Sequence, residues 1–144
     1  MKISQCMSRD LRVATLDNSL QSAAQIMSEI DCGFVPVADE DRLVGVITDR
    51  DIAIRGVARG LQPGAPVSEA MSEEILYCFE EDEADDVLGN MGDLQLRRMP
   101  VLDREKRLVG IVSITDLATH GEAAAAGAAL GEIARPSDVH SQHQ

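Results

Sequence analysis

The stretch Gly45-Val46-Ile47-Thr48-Asp49-Arg50-Asp51, GVITDRD, returns 65 residues later as Gly110-Ile111-Val112-Ser113-Ile114-Thr115-Asp116, GIVSITD. Both place a glycine before two apolar β-branched residues, then a hydroxyl residue, then an aspartate three positions on. Working outward, the match continues. Arg42-Leu43-Val44 precedes the first phrase and Arg107-Leu108-Val109 the second. Further upstream the spacing falls to 64: Pro36-Val37 recurs as Pro100-Val101, Asp39 as Asp103, Met27 as Met91 and Met7-Ser8 as Met71-Ser72. The change of spacing puts one extra residue in the second copy, between Asp103 and Arg107, in a polar stretch that reads as a turn. Turns are where a repeated fold accommodates an insertion.

Each copy carries the same order of local signals. SLQSAAQIMSEI sets Leu20, Ala23, Ala24, Met27 and Ile30 on one helical face, with Asp17 or Ser19 as the N-cap. The second copy repeats that face as Ala84, Val87, Leu88, Met91 and Leu94. FVPVAD and RMPVLD then read as short strands ending in acidic turns, followed by the β-branched strands RLVGVIT and RLVGIVS. DRDIAIRGVARG and ITDLATHG read as closing helices, and a first short strand is expected near residues 11–16 and 75–79. The expected fold class is therefore α/β (α+β), with two tandem β-α-β-β-α repeats. Residues 1–60 form the first repeat, 61–66 a linker within GLQPGAP, and 67–120 the second. Residues 121–144 hold an Ala-rich helix, stopped by Pro136, and a frayed tail. One repeat of about 60 residues buries little surface alone, so two are expected to share a core.

Composition narrows the function. The chain has 144 residues, 44% of them apolar, yet no Trp, one Tyr and two Phe, so the core must be aliphatic. No apolar run approaches the ~20 residues of a membrane span, and the N-terminus lacks the apolar stretch of a signal peptide. The expected location is cytoplasmic. A formal net charge of −12 repels polyanions, which argues against nucleic acid and anionic membranes as partners. Cys6, Cys32 and Cys78 are far apart in sequence, form no CxxC, and read as buried reduced thiols. His140 and His143 lie in a polar tail with no third ligand nearby, so no metal site is expected. The acidic run EEDEADD at 80–86 reads as the solvated first turn of a helix rather than a cation site. No Ser/His/Asp or Cys/His arrangement, G-x-G-x-x-G or Walker loop is legible, so no enzyme is expected.

Two readings of the repeated phrase stand side by side. Thr48-x-x-Asp51 and Ser113-x-x-Asp116 both fit the capping box, which does no more than start a helix. The same residues at a strand-to-helix junction also suit a ligand: the first-turn N–H groups favour anions, and an aspartate there can accept hydrogen bonds from a vicinal diol such as ribose. The glycine either lets backbones approach closely or eases the turn into the strand.

A leading Met-Ser, a helix, PV-x-D and R-L-V-G-h-h-[TS]-x-x-D, twice over, resembles the cystathionine-β-synthase (CBS) domain family, in its tandem, pseudo-two-fold CBS-pair (Bateman module) form. The resemblance spans about residues 3–120, and the free-standing format is similar to small bacterial two-CBS proteins. It implies a regulatory sensor whose clefts between the repeats take adenosine-containing ligands: AMP, ADP or ATP, and in some members S-adenosylmethionine or NAD, with no obligatory cofactor. Carried over, Asp51 and Asp116 would hold ribose hydroxyls, and Thr48, Ser113 and Thr115 would meet ribose or phosphate. The backbones of Val35-Pro36 and Met99-Pro100 would line an adenine slot. Arg98 matches a position where some members place a phosphate-binding base. The copies differ there, with Phe34 in place of Arg98 and with Arg50 where the second copy has Thr115, so the two sites are expected to be non-equivalent. A homodimer and an effector protein are the implied partners. The rival reading is a structural or protein–protein interaction module that binds no nucleotide.

Overall fold

Helical spacing of small and aliphatic side chains sets the first long element. The structure, a computed structural model, describes residues 1–120 and 123–134; the tail with Pro136, His140 and His143 lies outside them. Helix α1 (Leu20–Ile30) buries Leu20, Ala23 and Met27, while Ala24 of the expected face is exposed. Helix α3 (Ala84–Leu94) buries Ala84, Val87, Leu88 and Met91, and leaves Leu94 out. Ser19, one of the two expected caps, accepts the N–H of Ser22 at 3.0 Å. Both helices end on a left-handed residue that is not glycine, Asp31 (φ 52°) and Gln95 (φ 58°), in matched positions of the repeat.

The strands follow the expected order, strand-helix-strand-strand-helix, in each copy. β1 (Ala14–Thr15) runs parallel to β2 (Phe34–Asp39), which pairs antiparallel with β3 (Arg42–Thr48). β4 (Cys78–Phe79) runs parallel to β5 (Arg98–Leu102), whose other neighbour is β6 (Leu108–Ser113). The result is an α+β chain with two three-stranded sheets. β1 and β4 span two residues each, shorter than expected, because only Ala14 and Cys78 with their successors reach the central strand.

The closing helices diverge. α4 (Ile114–Thr119) is regular, but α2 (Asp49–Asp51) runs on as a π-turn (Ile52–Gly56) and a 3-10 turn (Val57–Arg59). The β-branched residues Ile52, Ile54 and Val57 and a glycine at 56 are poor helix formers, and Gly60 at φ 79° ends the segment. The Ala-rich segment forms α5 (Ala123–Ala134), which packs on α3 and α4: a Cβ on Gly92 would lie 3.4 Å from the Ala129 Cα.

Two compact units result, and they do not follow the linear repeats. One contains Asp10–Leu76 with Lys106–Leu108; the other contains Met1–Arg9, Tyr77–Glu105 and the residues from Val109 on. The leading segment of each repeat thus belongs with the sheet of the other. In the second unit Ile3 and Cys6 join Cys78, Val87, Met91, Val101 and Val112 in an aliphatic core. In the first, Val67, Ala70 and Met71 join Ala14, Leu20, Ala23, Val35, Val37 and Ile47. Matched hydrogen bonds hold both segments. Leu20 N–H donates to Ala65 O at 2.9 Å and Ala84 N–H to Met1 O at 2.7 Å, satisfying first-turn donors that a helix leaves unpaired. Ser72 exchanges two bonds with Val46 (3.0 and 2.9 Å), and Ser8 exchanges two with Ile111 (2.8 and 3.0 Å).

That pairing explains the glycine of the repeated phrase. A Cβ on Gly110 would lie 2.5 Å from the Ser8 carbonyl oxygen, and one on Gly45 would lie 2.7 Å from the Met71 sulfur and 3.0 Å from the Ser72 carbonyl oxygen. Close backbone approach, the first of the two roles expected, is the one observed. The acidic run also does more than solvate a helix start. Glu83 faces the Met1 ammonium at 3.2 Å, Glu81 faces Lys2 at 3.5 Å and Glu80 faces Arg9 at 3.6 Å. These pairs are partly exposed and individually weak; together they orient the leading segment. Cys6 and Cys78 are buried, and burial pushes the Cys78 thiol up to about 12, so it stays protonated. Cys32, expected buried, is only half-buried.

Gly110→Ala is expected to destabilise the protein by about 2 kcal/mol, the usual scale for forcing atoms into a packed site. Gly89→Ala, whose Cβ would meet nothing within 4 Å, should be neutral or stabilising by up to about 1 kcal/mol as a helix-interior replacement. Urea melts of the two variants check the contrast. Residues 1–62 lack Val67, Ala70 and Met71 and should show no cooperative melt, whereas residues 10–76, which hold the whole first core, should retain more helix by circular dichroism.

Candidate functional site

β-branched residues carry each G-h-h-[TS] stretch along an edge strand, and the hydroxyl residue stands where the strand hands over to a helix. In the first unit Phe34 lies opposite Thr48 and Val35 opposite Ile47, so the start of β2 and the start of α2 adjoin. Asp49 N–H donates to Gly33 O at 3.0 Å, closing that corner, and Ile114 N–H donates to Arg97 O at 3.1 Å in the matched place. Sheet pairing therefore places Phe34 beside Thr48, with Val35 and Pro36 following it in β2 opposite Ile47 and Val46. Arg97 is likewise tied to the start of α4, with Arg98, Met99 and Pro100 following it in β5.

The hydroxyl and carboxylate adopt the capping box in both copies. Thr48 Oγ1 accepts Asp51 N–H at 3.0 Å while Asp51 Oδ2 accepts Thr48 N–H at 3.0 Å. Ser113 and Asp116 repeat it at 3.0 and 3.0 Å. The backbones are near-identical, with φ, ψ of −117°, 163° at Thr48 and −124°, 161° at Ser113. The box engages Oδ2 of each aspartate. Among the described residues no hydrogen bond is recorded to Oδ1 of Asp51 or Asp116, and both side chains are half-exposed. One carboxylate can thus start a helix with one oxygen and leave the other unengaged.

Around each box the surroundings differ in charge. Val35, Pro36, Met99 and Pro100 are buried as whole residues, backbone included. Arg50, Arg98 and Thr115 are exposed, and the Thr115 carbonyl accepts the Thr119 hydroxyl at 2.8 Å. Asp49 was not singled out from the sequence. Its carboxylate rests on the bare Cα of Gly33: a Cβ there would lie 2.8 Å from Oδ1 and closer still to Oδ2. Its Oδ1 accepts the N–H of Arg50 at 2.8 Å. Arg97, exposed, replaces Gly33 in the second copy, and buried Ile114 replaces Asp49. Among the described residues no three His, Cys, Asp or Glu side chains are grouped to hold a metal, and no helix is long and apolar enough to cross a membrane.

With two β-α-β-β-α repeats and a capped G-h-h-[TS]-x-x-D junction in each, the molecule has the build of a tandem-repeat module. The CBS domain family model matches residues 3–56 and 67–122, and the chain belongs to that family. It is 38% identical over 135 residues to the uncharacterized protein YlbB of Bacillus subtilis, covering 92% of this chain and 90% of that one. It is 44% identical over 104 residues to hypoxic response protein 1 of Mycobacterium tuberculosis, covering 71% and 72%. The crystal structure of Hypoxic Response Protein I with two coordinated zinc ions superposes with a TM-score of 0.76 at 38% identity, covering 83% of this chain and 98% of that one. The CBS domain pair of protein MJ0100 in complex with 5′-methylthioadenosine and S-adenosyl-L-methionine gives 0.73 at 26% identity, covering 86% and 98%.

Because the two boxes share one geometry, Thr48→Ala and Ser113→Ala should each lower stability by about 1 kcal/mol, the usual cost of a lost N-cap. Chemical denaturation of the two variants checks that the costs agree within about 0.5 kcal/mol.

Proposed function

We propose that this chain is a cytoplasmic regulatory module that binds an adenosine-containing ligand at its two G-h-h-[TS]-x-x-D motifs and passes occupancy to a protein partner, as a homodimer and without catalysing a reaction. The observation that carries this reading is the second carboxylate oxygen of Asp51 and Asp116, which the capping box leaves without a hydrogen bond on a half-exposed side chain. A ribose diol fits such an acceptor, as acidic side chains in nucleotide sites do. Thr48, Ser113 and Thr115 are assigned to ribose or phosphate, Val35-Pro36 and Met99-Pro100 to the adenine edge, and Arg98 and Arg50 to phosphate. The MJ0100 pair, which holds 5′-methylthioadenosine and S-adenosyl-L-methionine, supports the ligand class.

A second reading has its own observation. Val57, 72% exposed, lines a 270 Å³ largely apolar hollow with Leu20, Ile52 and Leu61, and Ile54 of the same segment is 50% exposed. Such a surface suits a protein–protein module.

A calorimetric series of adenosine, AMP, ADP and ATP at fixed salt separates the two, since screening alters each charged comparison. AMP or ADP should bind at least as tightly as ATP without Mg²⁺, because each added phosphate works against the −12 net charge. The exposed Arg98, replaced by Ala, should cost AMP about 1 kcal/mol, roughly fivefold, and leave adenosine nearly unchanged. Asp51→Ala with Asp116→Ala should abolish binding. Retained affinity in that folded double variant, or no binding of any of the four at millimolar concentration, gives the interaction module the better claim.

A further inference from the structure

The two motifs are superimposable in their hydrogen bonds but opposite in their local charge. Counting matched positions, the first motif presents Gly33, Phe34, Asp49, Arg50 and Asp51, two acids and one base, a formal −1. The second presents Arg97, Arg98, Ile114, Thr115 and Asp116, two bases and one acid, a formal +1. Asp49 is the residue that sets the first apart. Its carboxylate is seated on Gly33, the residue just before β2, and its Oδ1 accepts the Arg50 N–H. In the second motif the matched carboxylate is absent, because Ile114 turns into the core, and an exposed guanidinium stands where Gly33 did.

Resting on the adenosine reading above, we propose that the motifs divide the ligands between them by charge. The second motif takes an adenosine with a 5′-phosphate, and the first takes one whose 5′ substituent is uncharged or cationic, with Asp49 as the residue that turns phosphate away. A phosphate near either motif meets a local charge that differs by two units. At the dielectric of a protein surface and a separation of several ångströms that difference is worth about tenfold or more in affinity. This takes Arg50 out of the phosphate role assigned to it above and leaves that role to Arg98, since the charge of Arg50 is matched by that of Asp49 and Asp51 adds another negative charge.

The test is calorimetric titration of the full chain with AMP and with 5′-methylthioadenosine, which differ at the 5′ position by a charge. Wild type is expected to bind about one AMP and about two 5′-methylthioadenosine per chain. Asp49→Asn and Asp49→Ala, at an exposed position, should raise AMP to about two per chain, or strengthen its weaker site at least about tenfold. The same variants should change 5′-methylthioadenosine affinity by less than about threefold, and Arg97→Ala with Arg98→Ala should weaken AMP at its single site. The assignment is overturned if AMP fills both sites of wild type with affinities within about threefold. It is also overturned if both ligands compete for one site, or if both Asp49 variants still bind a single AMP while two 5′-methylthioadenosine bind. If neither ligand binds wild type or any variant, the adenosine reading itself falls and takes the assignment with it.

Discussion

The contact on which the rest of the structure depends is a pair of main-chain hydrogen bonds made twice, Ser72 with Val46 and Ser8 with Ile111. Each pair needs a neighbouring residue with no side chain. Gly45 and Gly110 supply that bare surface, and a methyl group there would strike the Ser72 and Ser8 carbonyl oxygens. With the leading segment docked, Val67, Ala70 and Met71 close one aliphatic core, and Ile3 and Cys6 close the other. The helices depend on the same docking, because the carbonyls of Ala65 and Met1 take first-turn donors of α1 and α3. A core without large aromatics has few side chains that each bury much area. Completing it with several small pieces from a distant segment compensates for that.

Much of this was legible in the sequence, and the part that was not has a physical reason. The order of elements, the cap at Ser19, the aliphatic core and the strand-to-helix junctions follow from period and residue type. The exchange of leading segments does not. Met7-Ser8 and Met71-Ser72 align perfectly in the repeat, which says that they play the same role but not for which sheet. Trading equivalent segments between equivalent units leaves every residue type unchanged. The acidic run reads as a solvated helix start, and so it is at Asp85 and Asp86; Glu80, Glu81 and Glu83 meet cations that only the exchange brings near. The helix ends at Asp31 and Gln95 were hidden because neither is the glycine that normally marks a left-handed cap. The segment after Asp51 reads as one helix from its spacing, yet three β-branched residues and Gly56 loosen it into π and 3-10 turns.

The candidate site was legible as a motif and ambiguous as a function, and geometry removes the conflict between its two readings. A capping box and a ligand site looked like rivals because both claim the same aspartate. A carboxylate has two oxygens, and the box engages one. What the sequence hid was Asp49. Nothing in TDRD distinguishes the first aspartate from a solvated first-turn acid, and its position over Gly33 appears only once Phe34 is registered against Thr48.

The comparison of the two motifs shows where a duplicated fold is free to differ. Positions that set the junction are the same in both copies: the bare glycine, the hydroxyl, the aspartate and the buried Pro-Val pair. Their φ, ψ values agree within 7° and 2° at the two caps. Packing and hydrogen bonding constrain all of them, so neither copy can change one without losing its leading segment or its helix start. The residues around them, Gly33 or Arg97, Phe34 or Arg98, Arg50 or Thr115, are less constrained, since the arginines and Thr115 are exposed, Phe34 is only half-buried and Gly33 has no side chain. Charge can therefore be rearranged there at little cost to the fold. Asp49 and Ile114 are the instructive pair, because one side chain lies outside on a glycine and the other lies in the core. Exchanging Ile114 for an acid would bury a charge, whereas Asp49 keeps its carboxylate at the surface only because Gly33 leaves room. The negative charge of the first motif thus depends on a glycine one strand away, and the positive charge of the second occupies that same position.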